Sequence, residues 1–321
     1  MAIQTLENLR NLYFVTSRHG ANSFSQYTFA YLTAIDILSQ YPIQAEVFLR
    51  EHRPTSAGSI PQHPLDRCHD LYLLNMAEHF TVVLTPEFNE QILIAAATPY
   101  LGVGSDPRLL ETFEAAHSVM LAVLSAPQNT DLLIRHTHVY VDVLFKVFPQ
   151  NLSARQFRMA VRTLIRITSP PSLISETEPL LPATLLELVR FRLQSASPNL
   201  LPHPMSPDKD YGAPEHPALS EQTVLVLTLI DSLPFLHVDQ LEDWLPLTAE
   251  TLNTIQDATQ LQICRKRFWD VLSNGEMDVN RSALCVTWWG TGGGREMVLR
   301  GKEQQQEGPF MSGGLQELSR L

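Results

Sequence analysis

The sequence predicts an all-α protein, a helical array with a small β-hairpin near its C-terminus. Three observations carry this reading. Apolar residues recur at three- and four-residue intervals along most of the chain, and prolines and capping residues cut that pattern into helix-sized pieces. Towards the end, two short runs rich in Val, Trp and Leu flank a glycine-rich pentapeptide, the pattern of two strands and a turn.

Taken in order, helical spacing appears in Leu71–Leu84, Leu109–Leu124, Leu132–Phe148 and Ala154–Thr168. In Ala154–Thr168, Phe157, Ala160, Val161, Leu164 and Ile165 share one helix face. Ser105-Asp106-Pro107 supplies a cap and a first-turn proline, while Thr85-Pro86, Ala126-Pro127 and Phe148-Pro149 interrupt successive periodic runs. Pro86 and Pro127 are 41 residues apart, and the steps to Pro149 and Pro170 are 22 and 21. That spacing fits a stacked two-helix repeat, a HEAT/armadillo-like solenoid. Helices of about 15 residues with short connections produce the same spacing in a nonrepeating all-α fold, so both architectures stay open.

The chain divides into four parts. Residues 1–197 form a helical domain, interrupted by the loop RPTSAGSIPQHP (Arg53–Pro64), and residues 198–217, rich in proline, form a linker or loop. Residues 218–302 are helical over Glu221–Ile230, Val238–Leu245 and Ala249–Leu272, and end in the predicted hairpin of Ala283–Trp289 and Arg295–Arg300. Residues 303–321 read as a flexible polar tail.

Of 321 residues, 44% are hydrophobic and 18% charged, enough apolar material for a sizeable core. A net charge of −11 counts against nucleic-acid binding, which needs a basic footprint on phosphate. Cys68, Cys264 and Cys285 are odd in number and widely spaced, which suits free thiols in a reducing compartment. No apolar run approaches the roughly 18 residues needed to span a bilayer, so any membrane contact is expected to be peripheral. The N-terminus lacks the basic start and continuous apolar stretch of a secretory signal.

Nothing in the chain calls for a catalytic group, a metal or a cofactor. Gly290-Thr291-Gly292-Gly293-Gly294 lacks the Gly-Lys-Ser/Thr of a nucleotide-binding loop and reads as the hairpin turn. His136 and His138, two apart on a helix, point about 200° away from each other and cannot share one ion. His63, Cys68 and His69 lack a fourth ligand nearby in sequence. No Gly-x-Ser-x-Gly or His-Glu-x-x-His motif occurs, which favours an interaction protein over an enzyme.

Three features point to partners. Arg155, Arg158, Arg162 and Arg166 fall within about 80° of helix circumference, opposite the apolar face of their helix. This basic stripe is either a surface for an acidic partner or anionic lipid headgroups, or a solvated face with local acidic neighbours. Trp288 and Trp289 alternate on the predicted strand, one to pack on the helices and the other to meet a partner. Ser319-Arg320-Leu321 has the small, basic, leucine order of the peroxisomal C-terminal address, in which a receptor groove takes the free carboxylate and an apolar pocket the leucine.

The segment CVTWWGTGGGREMVLRGK (Cys285–Lys302), followed by GPFMSGG and the terminal SRL, resembles the C-terminal region of the fungal peroxin eight family. The resemblance implies a non-enzymatic protein inside the peroxisome, peripherally bound to the lumenal face of its membrane. Its implied partners are the import receptor for C-terminal signals and the docking and RING-finger import complexes. Two other readings remain: a peroxisomal matrix enzyme with the same address, and a docking-complex component of the peroxin seventeen type.

Overall fold

The computed structural model describes residues 1–19, 24–54, 58–202 and 217–301. Over these residues the protein is all-α. The first helices are α1 (Ala2–His19), α2 (Ser25–Ser39), α3 (Pro42–Glu51) and α4 (Pro64–Ala77). A composite stretch follows, in which α5 (Pro86–Phe88) and α6 (Ala95–Ala97) flank a π-helical segment, Asn89–Ile94, and a 3-10 turn, Thr98–Tyr100, closes it. Next come α7 (Leu110–Ser125), α8 (Thr130–Val147), α9 (Ala154–Thr168), α10 (Ile174–Thr177) and α11 (Leu181–Leu193). After the Pro-rich stretch the chain forms α12 (Glu221–Ser232), α13 (Val238–Leu252), α14 (Ala258–Ser273), α15 (Val279–Gly290) and α16 (Gly294–Arg300).

Local chemistry sets the boundaries. Ser153 and Gln156 form a reciprocal capping box at the start of α9: Ser153 Oγ accepts the Gln156 N–H at 3.2 Å and Gln156 Oε1 accepts the Ser153 N–H at 3.1 Å. The five apolar residues that share a face of α9 in the sequence are all buried. Asp257 caps α14 by accepting the Gln260 N–H at 2.8 Å. The expected break between Leu245 and Ala249 is absent, because α13 runs through Pro246 and ends only at Leu252.

The core centres on α12. Val224, Leu225, Val226, Leu229 and Ile230 have no exposed surface, and Leu227 has 2%. A helix apolar on every side must be enclosed, and α9, α11 and α14 pack around this one. Two carboxylates are drawn in with it. Glu221, at the first turn, favours the positive end of the helix dipole and pairs with Arg192 at 3.0 Å. Asp231, at the last turn, opposes the dipole and is held by Arg158 and Arg267, each at 2.6 Å.

Helices on both sides of the Pro-rich stretch therefore share one core. The two flanks of the Pro-rich stretch are held side by side: the Leu201 N–H donates to the Leu219 carbonyl at 2.8 Å, in an antiparallel bridge between Leu200 and Ser220. Gln260 clasps the returning segment, donating to the Ala218 carbonyl at 3.0 Å and accepting the Ser220 N–H at 3.3 Å.

The expected C-terminal hairpin is not formed. Its two runs lie in α15 and α16, and the described residues contain no β-strand. Asp278 caps α15 by accepting the Arg281 N–H at 2.9 Å. The glycines serve a helix–helix turn: Gly293 adopts φ +76°, and Gly294 lies so close under Trp288 that a Cβ would stand 2.6 Å from its ring. Short apolar runs with aromatic and β-branched residues fit a strand or a buried helix face equally well, and here the cap and close packing decide for helix.

Candidate functional site

The arginine stripe splits into two parts. Arg155 and Arg166 are exposed, whereas Arg158 and Arg162 are half-buried against the C-terminal half of the chain. Arg158 reaches Asp231, while Arg162 lies 3.3 Å from Glu276 and 5.2 Å from the centre of the Phe235 ring. Arg158 thus joins α9 to α12, Arg162 packs on Phe235 and Glu276, and the other two guanidinium groups face solvent.

On a helix, Trp288 and Trp289 sit about 100° apart rather than on opposite faces. Both are half-buried: Trp288 packs on Phe268 at 5.9 Å and Trp289 on Trp269 at 5.1 Å between ring centres. Ser319, Arg320 and Leu321 lie outside the described residues.

The histidines and cysteines are dispersed. His63 caps α4 by accepting the Leu65 N–H at 3.2 Å, His136 meets Glu90 at 3.0 Å, and His138 is exposed. Among the described residues, no three His, Cys, Asp or Glu side chains are grouped as a metal would require. Burial pushes the Cys264 thiol up to about 12 and that of Cys285 up to about 11, so both resist becoming thiolates. No helix among the described residues is long and apolar enough to cross a membrane.

Sequence reasoning missed a cavity of about 670 Å³ between α1, α2 and α4 on one side and α7, α8 and α9 on the other. Its residues are up to about 150 positions apart, so no local motif announces it. Tyr13, Tyr27, Tyr31, His117 and Tyr140 line it, with Phe24, Leu32 and Met159 as exposed apolar residues. The tyrosines are anchored by their hydroxyls: Asn75 donates to Tyr13 at 2.8 Å, and Tyr27 donates to the Leu9 carbonyl at 3.1 Å. Tyr31 stands apart, because its buried hydroxyl meets no partner among the described residues.

Three carboxylates, Glu78, Glu111 and Glu114, line the same cavity, and among the described residues no lysine or arginine does. Gln156 donates to Glu114 at 2.7 Å, which orients that carboxylate without neutralising it. Partial desolvation, and then the charge of Glu114, push the Glu111 carboxyl above its usual range. His117 adds no compensating charge. Its ring nitrogens meet the Tyr140 hydroxyl at 3.0 Å and the Leu101 carbonyl at 3.2 Å, and burial depresses its pKa to about 4.

The described residues define an all-helical protein with a carboxylate- and aromatic-lined cavity and a divided arginine stripe. The chain belongs to the peroxin 8 family. Residues 133–296 match the PEX8 C-terminal domain, and residues 45–125 match the PEX8 central TPR-like domain. It is 27% identical over 319 residues to the "Peroxisomal membrane protein PEX17" of Yarrowia lipolytica, with 90% of this chain and 46% of that protein covered. It is 26% identical to the "Peroxisomal biogenesis factor 8" of Pichia angusta (88% and 44% covered) and 24% identical to that of Komagataella phaffii (88% and 45% covered). The chain thus spans about half the length of these curated relatives. No solved structure matches it.

Proposed function

We propose that this protein is a non-enzymatic scaffold of peroxisomal matrix-protein import. It resides in the peroxisome, associates peripherally with the lumenal face of the membrane, engages the cargo receptor, and links the docking and RING-finger assemblies. The observation that carries this reading is the match to two successive peroxin 8 domains, together covering most of the chain. Its helices stack as a solenoid-like array whose outer faces bind partners, with Arg155 and Arg166 as the free part of the basic stripe. Ser319, Arg320 and Leu321 are its import address.

A second reading, a docking-complex component, is favoured by the relative named PEX17. The two differ in the side of the membrane occupied. In intact organelles the scaffold is expected to resist added protease until detergent is present, and to copurify with docking and RING-finger components. Digestion without detergent favours the docking component, and turnover of a substrate by the purified chain favours a matrix enzyme. Deleting Ser319–Leu321, or making Leu321→Asp, is expected to abolish binding to the receptor's C-terminal-signal groove with no change in thermal unfolding. Equal binding by both forms rejects the tripeptide as the address.

A further inference from the structure

We propose that the cavity between the N-terminal helices and α7–α9 binds an internal basic peptide segment of a partner protein, taking one Lys or Arg side chain flanked by apolar residues. Its volume of about 670 Å³ falls in the range of ligand sites and exceeds the needs of one side chain. The lining selects charge. Glu78, Glu111 and Glu114 face a shared space with no lysine or arginine among its described lining residues, and His117, bonded at both nitrogens, is neutral at ordinary pH. Carboxylates beside aromatic rings are the groups that attract a partly desolvated cation, through Coulomb attraction and the negative faces of the rings.

Tyr31 gives an independent indication. Tyr31 lines the cavity, and its buried hydroxyl meets no hydrogen-bond partner among the described residues, although buried polar groups are nearly always paired. A ligand donor or acceptor would satisfy it. Phe24, Leu32 and Met159, all exposed, supply apolar contacts for residues beside the basic one. The same charge pattern disfavours a free chain-terminal carboxylate, so the occupant is an internal segment and not a C-terminal signal. The cavity's chemistry is independent of the import reading, and binding can be measured whether or not the protein acts in import.

The test is selection of random 12-residue peptides, displayed with their C-termini fused, on the immobilised full chain. Enriched peptides are expected to carry Lys or Arg next to Leu, Ile, Met or Phe. An enriched peptide, synthesised with blocked termini, is expected to lose at least about tenfold in affinity when its basic residue becomes Gln. It is expected to lose as much with the Glu111→Gln/Glu114→Gln protein, whose two side chains are exposed and whose thermal unfolding should not change. Tyr31→Phe, which removes only the unpartnered hydroxyl, is expected to weaken binding several-fold while the fold is retained. The proposal is overturned by a selection without enrichment, by enriched peptides lacking basic residues, or by equal affinity for the double variant. Saturable binding of spermidine with no peptide enriched also overturns it, by assigning the cavity to a small cation.

Discussion

Arg158 Nη2 lies 2.6 Å from Asp231 Oδ2, joining α9 to the end of the buried α12 across 73 residues of sequence. Arg267 reaches the other carboxylate oxygen from α14, so one acid holds three helices. With Asp231 only 5% exposed, Asp231→Ala leaves two guanidinium groups facing a void and is expected to cost roughly 3 kcal/mol in denaturant unfolding. Arg158→Ala leaves Arg267 in place and is expected to cost about 1.5–3 kcal/mol. A cost near zero for Asp231→Ala would deny the pairing a structural role.

The exposed half of the arginine stripe separates folding from binding. Arg155→Glu/Arg166→Glu is expected to stay within about 0.5 kcal/mol of the parent, as surface substitutions do. If this surface receives an acidic partner or anionic lipid, the same variant loses that association. Retained pull-down of import components and unchanged binding to anionic vesicles would show a merely solvated face.

Gly294→Ala tests the turn that replaced the expected hairpin. The new methyl group would meet the Trp288 ring at 2.6 Å, so ring or helix must shift. The expected cost is about 1–3 kcal/mol, accompanied by altered tryptophan fluorescence. An unchanged spectrum and melting temperature would refute the close packing of α15 on α16.

His117 makes stability fall in acid. Its unfolded value is 6.5 and its folded value about 4, so above pH 6.5 both states are largely unprotonated and His117 has little effect on how stability varies with pH. Between pH 6.5 and 4 the unfolded chain takes up a proton that the folded protein refuses. Stability drops through that window, by about 3 kcal/mol once the pH is below both values. His117→Gln is expected to flatten the slope over this range, and an identical slope in parent and variant would reject the assignment.

Thiol reactivity should follow burial. Cys264 and Cys285 are buried with raised pKa values, while Cys68 is half-buried. Iodoacetamide on the native protein at pH 8 is expected to modify Cys68 first, with the other two reacting only on unfolding. Rapid native labelling of Cys264, read by mass spectrometry, would contradict its enclosure.

The legible parts of the sequence were those written by nearest neighbours. The predicted span Ala154–Thr168 coincides with α9, because an amphipathic stripe and a capping box lie within one segment. The spans assigned around Leu109 and Leu132 coincide with α7 and α8 to within two residues. The C-terminal runs were misread because Trp288 and Val286 suit a strand as well as a helix, and the deciding contact, Trp288 on Gly294, is tertiary. A usable signal was Asp278 ahead of Cys285 and Trp288, a cap followed by residues of one helix face. The cavity had no such signal, since Tyr31 and Glu111 come to line one space only after α1, α2 and α4 have packed against α7–α9.

The bridge from Leu201 to Leu219 gives the chain a place where its length is negotiable. Because departure and return are fixed side by side, residues can be added between them without displacing either flank, and doubling such a loop costs only about 0.6 kcal/mol of closure entropy. Relatives could diverge in length here while keeping the same core. A chain severed between the two flanks would persist as two pieces gripping each other through α12, which packs on α9 and α11.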